Sequence, residues 1–294
     1  MKFSIIIPTC DRPAQLQECL RCVVRQEAAS YEIIVTDDSR TETPQHAIQG
    51  IQWVRGPRRG PAANRNCGAR HATGEWLIFL DDDCLPATGW LAAYEAAAAP
   101  ALDVMEGMTE CPEGDAFALR EIVENPHGGA LWSCNLAVRR AIFETLGGFD
   151  EDFTEACAED MEFAHRLRAG GMHGVFARHA VVIHPARHFD PCRLLKRTAA
   201  HRWIILYRLK TGISPGLAAS PVRAIADLVS REWLDSLRLF HHLGRSRNRR
   251  RFKQMTLEAL WRFVSLPAFL PYYLFWELRY RGMLSRRARS RANG

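Results

Sequence analysis

The sequence predicts an α/β fold: a mostly parallel, mixed sheet covered by helices, followed by a C-terminal region built of helices alone. Three observations carry that prediction. Short apolar runs rich in β-branched residues alternate with helix-like stretches through the N-terminal part of the chain. Two of those runs end in consecutive acids, Asp37-Asp38 and Asp81-Asp82-Asp83. Beyond about Asp190 the alternation stops and only helical periodicity remains.

Ser4–Pro8 reads as the first strand, stopped by Pro8. Pro13 opens a helix whose apolar positions are Leu16, Leu20, Val23 and Val24. Tyr31–Thr36 is the second strand and Ile51–Val54 a short third. A Gly/Pro/Arg loop, Gly56 to Pro61, leads into a helix over Ala62–Ala72, and Gly74 closes it before the strand Trp76–Leu80. This β-α-β-α-β order predicts parallel pairing with right-handed crossovers. Later elements are a helix over Gly89–Ala99, strands at Leu102–Met108 and Trp132–Val138, helices at Arg139–Leu146 and Asp160–Ala169, and a strand at His173–Ile183 that runs into His184-Pro185.

The acids after Leu80 carry the most chemistry. A buried strand ending in adjacent carboxylates places repelling charges at the sheet's C-terminal edge, where open α/β sheets bind ligands. A divalent cation between them relieves the repulsion, and a hard cation of this kind usually accompanies a phosphate. Taken alone, the triplet reads first as a solvated acidic turn; the rest of the chain shifts the reading towards a cation site.

The chain of 294 residues is 47% apolar, enough for one large α/β domain and an appendage. Its net charge of +6 is uneven: residues 245–294 hold 12 Arg and one Lys against Glu258 and Glu277, a local +11 that leaves −5 for the rest. Nine cysteines with no regular framework argue for a reducing compartment, and Cys19 and Cys22 lie within a predicted helix without a second pair to complete a zinc site. The N-terminal run leads directly into a strand and does not read as a leader.

The C-terminal stripe Ile225, Val229, Trp233, Leu237 and Phe240 is that of an amphipathic helix. Phe263–Trp276 contains no charge but is short for a membrane crossing and is interrupted by Pro267 and Pro271. With basic residues on both sides, it predicts an interfacial or re-entrant helix pair on a membrane surface. Packing on the core or in a homodimer is the alternative. Nucleic acid is not an expected partner, because no recognition fold accompanies the arginines.

An ordered series of motifs spans the first 185 residues or so. Ser4-Ile5-Ile6-Ile7-Pro8-Thr9 is followed by Glu32-Ile33-Ile34-Val35-Thr36-Asp37-Asp38-Ser39, then Asn64-Arg65-Asn66-Cys67-Gly68 and Gly74 to Asp83. Gly147-Gly148-Phe149-Asp150-Glu151 and Glu159-Asp160-Met161-Glu162-Phe163 complete it. In this order and spacing the chain resembles the family 2 glycosyltransferases, whose domain is the Rossmann-like GT-A fold. The resemblance implies a GT-A domain over residues 1–190; the helical region over 191–294 is read as membrane-associating from its own basic and aromatic pattern.

The resemblance also implies roles. Pro8, Thr9 and Asp38 border the nucleotide base, with the Asp38 carboxylate accepting the N3–H of a uracil. Ser39 stands where the family often has Gly. Arg65, with Arg58 and Arg59 as further candidates, faces the diphosphate. Asp81 and Asp83 form the D-x-D and bind Mn²⁺ or Mg²⁺, with Asp81 also near the ribose and Asp82 supporting. His184 is a third metal ligand, with His188 its rival. Asp160 is the base that deprotonates the acceptor hydroxyl and Glu159 positions it, although acids opening a helix are equally plain caps. Trp132 stacks on the acceptor or is a core tryptophan.

The function implied is metal-dependent, inverting transfer of a sugar from a nucleotide-sugar donor, UDP-linked, to a glycan or lipid-linked acceptor at the cytoplasmic face of the membrane. A sugar-phosphate nucleotidyltransferase would need a Gly-rich phosphate loop after the first strand, where Cys10-Asp11-Arg12-Pro13 stands instead. An inactive nucleotide-sugar-binding scaffold is the other alternative, and the full set of acids speaks against it.

Overall fold

Strand β1, Phe3–Thr9, runs through the middle of the sheet with every side chain buried. The structure, a computed structural model, describes residues 3–27, 30–41, 50–112, 120–121, 123–188, 191–213 and 249–292. The stripe expected from Ile225 to Phe240 lies outside those residues. Two units form, residues 1–112 with 122–186, and residues 113–121 with 187–294.

In the first unit β1 is flanked by β2 (Tyr31–Asp37) on one side and β4 (Trp76–Leu80) on the other, both parallel to it. Strand β3 (Ile51–Arg55) extends the parallel half beyond β2. The other strands are β5 (Leu85–Pro86), β6 (Val104–Glu110), β8 (Asn135–Arg139) and β9 (Gly174–Ile183), giving the order β3-β2-β1-β4-β8-β6-β9-β5. Strand β8 is antiparallel to both neighbours and β5 is antiparallel to β9, so the sheet is mixed. Because β6 and β9 run in the same sense as β4, the carboxyl ends of β1, β2, β4, β6 and β9 share one edge. The chain reverses its order beside β1, which makes that edge a ligand crevice in folds of this kind.

Burial on both faces explains the unbroken Ile5-Ile6-Ile7 run. Ile5 and Ile7 pack with Leu16, Leu20 and Val23 of α1 (Pro13–Val23) and with Trp90 and Tyr94 of α3 (Trp90–Ala97). Ile6 faces the opposite layer, α2 (Pro61–His71), α4 (Arg140–Thr145) and α5 (Glu159–Ala169). There Phe79, Phe143, Phe149 and Phe163 form an aromatic cluster, with Phe149 and Phe163 4.7 Å apart between ring centres.

The motif Gly147-Gly148-Phe149 is structural. Asn66 donates to the Phe149 carbonyl and accepts its N–H, each at 2.8 Å. A Cβ on Gly148, whose φ is +72°, would lie 2.7 Å from Asn66 Oδ1, so only glycine fits. Arg166 pairs with Glu162 and donates to the carbonyls of Leu146 and Gly148, which fastens α5 to the same turn.

The strand expected from Trp132 begins at Asn135; Trp132 precedes it, half-buried against the core. Buried Glu106, mid-β6, accepts hydrogen bonds from Asn125 Nδ2 and from the amides of Gly129 and Leu131. It thereby shapes the loop that carries Trp132.

The second unit holds the ladder β7 (Arg120–Glu121) with β10 (Arg187–His188), and helices α6 (Pro191–Ala200), α7 (Arg202–Thr211) and α8 (Arg249–Ala292). The expected helix pair is instead one helix: α8 continues through Pro267 and Pro271. Each proline removes one donor, and spaced four apart they leave their orphaned carbonyls on one side of the helix. The aromatic residues that suggested headgroup contact turn towards α6 and α7. Tyr273 donates to the Thr198 carbonyl, Tyr272 to that of Ala199, and Arg202 lies 4.7 Å from the Trp276 ring centre. Leu274, Phe275 and Leu278 remain exposed on the same helix. Among the described residues, no helix is long and apolar enough to cross a membrane.

Candidate active site

Three strand ends converge at the shared edge of the first unit. After β1, the Thr9 carbonyl accepts the Asp38 amide at 2.9 Å, while the Thr9 hydroxyl donates to Asp82 at 2.7 Å. One residue therefore joins the end of β2 to the end of β4. Asn64 adds a second clip, donating from Nδ2 to the carbonyls of Thr9 and Thr36. Asp38 Oδ1 accepts the backbone N–H of Arg58 at 2.8 Å, and burial pushes its carboxyl up to about 6. A Cβ on Gly56 would lie 2.2 Å from that oxygen, so any larger residue there would push the Asp38 carboxylate out of place. Ser39, in the place of the family's glycine, accepts the Asp11 amide on its hydroxyl and donates its own amide to Asp37.

Two guanidinium groups divide the triplet between them. Arg65, from α2, donates to Asp81 at 2.7 Å and to Glu159 at 3.0 Å, with its side chain only 5% exposed. Burial alone would weaken its charge; the two acids outweigh burial and raise its pKa further. Arg12, at the start of α1, lies 2.8 Å from Asp82 Oδ1 and 2.9 Å from Asp83 Oδ2. Asp82 is fully buried, and burial raises its carboxyl to about 7 against the opposing pull of Arg12 and Thr9. The repulsion expected within the triplet is thus met by arginines belonging to the chain itself. Of the other loop arginines, Arg58 donates to the carbonyls of Ser39 and Arg40, and Arg59 pairs with Glu151.

Arg65 also brings the start of α5 to the triplet. Glu159 is buried on that guanidinium, and the next residue, half-buried Asp160, accepts the Met161 amide on Oδ1 at 2.8 Å. Burial, followed by the charge of Glu159, raises the Asp160 carboxyl to about 7, with Arg65 pulling the other way. The N-cap position itself is Ala158, at φ +70°, while Asp160 takes up one first-turn amide, that of Met161.

On the far side of the triplet, the pairing of Leu85 with Ile183 sets β5 beside the end of β9. Asp83, Cys84 and His184 each offer a ligand atom there, all within 4.8 Å of one another. His184 Nδ1 is 3.1 Å from the Pro185 carbonyl; a proton on Nδ1 leaves Nε2 as the acceptor facing Asp83 Oδ1, 3.8 Å away. That is the orientation of a metal-ligating imidazole. A hydrogen bond with Cys134, together with burial, holds the Cys84 thiol well above its ordinary range. The Asp83 carboxylate fits Mn²⁺ or Mg²⁺, the borderline imidazole of His184 suits Mn²⁺ better than Mg²⁺, and the protonated thiol fits neither. Asp81 is turned to Arg65, and the side chain of His188 lies outside the described residues.

Residues 4–103 match the model of the family described as Glycosyl transferase family 2. That match takes in 100 of the chain's 294 residues and runs through the strand-end acids Asp38 and Asp81 to Asp83. The chain is 29% identical over 219 residues to validoxylamine A glucosyltransferase of Streptomyces hygroscopicus subsp. jinggangensis, covering 58% of this chain and 52% of that one. It is 32% identical over 91 residues to GalNAc(5)-diNAcBac-PP-undecaprenol beta-1,3-glucosyltransferase of Campylobacter jejuni, covering 28% and 29%. The chain thus aligns with about half or less of the length of these curated relatives. In fold it is similar to a mannosyltransferase of Pyrobaculum calidifontis solved with GDP-Man and Mn²⁺, with TM-score 0.58 and 20% identity over 90% of this chain and 86% of that one.

Sequence reasoning gave no role to four residues at or beside the site: Arg12, Asn64, Asn66 and Glu106. Arg12 had a signal, a lone cation between a strand end and a helix-starting proline. Asn64 and Asn66 flank Arg65 in a quoted motif, but their partners, like those of Glu106, are distant in sequence, so their roles are not locally visible.

Proposed function

We propose that this chain is a family 2 glycosyltransferase that transfers a sugar from a nucleoside-diphosphate donor, uridine-linked, to a hydroxyl of a glycan or lipid-linked acceptor, with inversion. The supporting observation is the buried Arg65 bridge, which joins an acid of the strand-end triplet to the helix bearing Asp160. Donor and acceptor chemistry then share one cleft.

Asp38 accepts the N3–H of the base. Asp160 takes the proton of the acceptor hydroxyl on its carboxylate; a value of about 7 leaves it substantially ionised at neutral pH while strong enough as a base. Glu159, fixed by Arg65, positions it. A single displacement with the base on the face opposite the leaving group inverts the anomeric centre. Asp83 and His184 would hold a divalent cation, which supplies neutralisation of the departing diphosphate. Trp132, half-buried on the loop shaped by Glu106, offers a ring to the acceptor sugar.

We place the protein on the inner face of the membrane through α8. Its exposed Leu274, Phe275 and Leu278 precede Arg279, Arg281, Arg286, Arg287, Arg289 and Arg291, a pattern suited to an anionic lipid surface.

The test is thermal stabilisation by UDP or GDP, each with and without Mn²⁺, followed by transfer assays on a donor panel. UDP with Mn²⁺ is expected to raise the melting temperature in wild type and not in Asp83→Ala. Asp160→Asn is expected to keep that stabilisation and lose transfer. Stabilisation by GDP alone would replace the uridine assignment. Wild-type transfer by Asp160→Asn would remove the base assignment.

A further inference from the structure

The triplet's two arginines differ in a way that gives one of them a second role. Arg65 holds Asp81 from inside the protein, with a side chain 5% exposed and also committed to Glu159. Arg12 holds Asp82 and Asp83 from outside, with a side chain 41% exposed. Its position at the start of α1 is electrostatically unfavourable for a cation, because the N-terminal end of a helix is positive. The two carboxylates, not the helix, keep the guanidinium there. In these pairs only the guanidinium reaches water, the carboxylates being buried or nearly so. Arg12 can withdraw into solvent once another cation takes over its acids, whereas Arg65 has nowhere to go. Arg12 is therefore the exchangeable counterion and Arg65 the fixed one. Asp83 stands between the two positions: Oδ2 is 2.9 Å from Arg12 and Oδ1 faces His184, so an ion on Oδ1 would share one carboxylate's charge with the guanidinium.

We infer that Arg12 is an internal counterion of the cation site, which a divalent ion must displace from Asp83 to bind. The inference rests on the proposal that Asp83 and His184 hold such an ion. The ion alone then binds weakly, because it competes with a tethered guanidinium. A nucleoside diphosphate reverses this by offering the displaced guanidinium an anionic, bidentate partner. Ion and nucleotide consequently bind as a coupled pair, each strengthening the other by the same factor. Arg12 is a positioning residue in this scheme. It delays occupation of the metal site until the donor diphosphate is present.

The experiment is Mn²⁺ binding to the full chain, followed by the paramagnetic resonance of the free ion, with and without UDP, for wild type, Arg12→Gln and Arg12→Lys. Without nucleotide, Arg12→Gln is expected to bind Mn²⁺ more tightly than wild type by roughly fivefold or more, the lower end of site–site coupling. Arg12→Lys, whose ammonium cannot span both carboxylates, is expected to fall between them. UDP is expected to tighten Mn²⁺ binding less in Arg12→Gln than in wild type. Unchanged or weaker Mn²⁺ binding in both variants overturns the inference while the cation site stands. No Mn²⁺ bound by wild type or either variant, even with UDP, overturns the cation site and the inference with it. If Arg12→Gln does not give a folded circular-dichroism spectrum, Arg12→Lys against wild type decides the matter.

Discussion

Replacing Arg65 with methionine tests the bridge that unites the site. The guanidinium sits between Asp81 at 2.7 Å and Glu159 at 3.0 Å, and lies 5.7 Å from the ring centre of Phe149. Methionine fills much of the same space but leaves two carboxylates, and Asp160 beside them, without that countercharge. Removing one partner of a buried ion pair costs about 3–5 kcal/mol. In a domain of this size 1 kcal/mol moves the melting temperature by about 2–4 °C. The expected drop is therefore about 6–20 °C, read from thermal melts by circular dichroism near pH 8. The loss has a distinctive pH dependence. Asp160, already raised to about 7, loses the lowering pull of Arg65 in the variant, so its folded-state pKa moves further above the unfolded one and the folded chain binds a proton that the unfolded chain does not. Its neutralisation restores stability as the pH falls, and the deficit shrinks from about pH 8 downward. Adding Glu159→Gln recovers part of the loss, because one of the two stranded charges is gone. A drop under about 3 °C, or one that is constant across this pH range, would refute the bridging role of Arg65.

Two further outcomes follow from the same side chains. The value of kcat/KM is expected to rise about tenfold per pH unit and to level off above about 7, where Asp160 is ionised. Because the charge of Glu159 raises that value, Glu159→Gln shifts the limb to lower pH, and a flat profile in wild type excludes Asp160 as the base. For α8, replacing exposed Leu274, Phe275 and Leu278 with serine is expected to leave the melting temperature unchanged. Burial of such side chains is worth about 1.5–3 kcal/mol each, so co-sedimentation with anionic vesicles falls by at least about a hundredfold in partition coefficient. Equal sedimentation of the variant removes the membrane assignment.

The parallel half of the sheet was readable because burial on both faces leaves a plain trace. Ile5-Ile6-Ile7 and Trp76 to Leu80 are continuous apolar runs, and each is followed by the polar residues of the crevice. The antiparallel half was less so: β5 has two residues, and what defines it is its pairing with β9, not its own sequence. In α8 the local rule that proline interrupts a helix gave a break where the chain continues. Local propensity there is outweighed by the rest of a long helix and by the packing of Tyr272, Tyr273 and Trp276 on α6 and α7.

The site divides along the same line. Acids at strand ends are visible from sequence, because a charge directly after an apolar run is locally anomalous. Their counterions are not, since an arginine's partner is chosen by topology. Arg12 is separated from Asp83 by 71 residues and Arg65 from Glu159 by 94. Read together with the rest of the motif series, the triplet suggested a metal to relieve its repulsion. With Arg65 and Arg12 in place, each acid of the triplet faces an arginine, which eases the repulsion so that folding need not wait for an ion. What a metal changes is which charge Asp83 faces. The question for this site therefore shifts from whether a cation stabilises the acids to which cation holds them at each stage of donor binding.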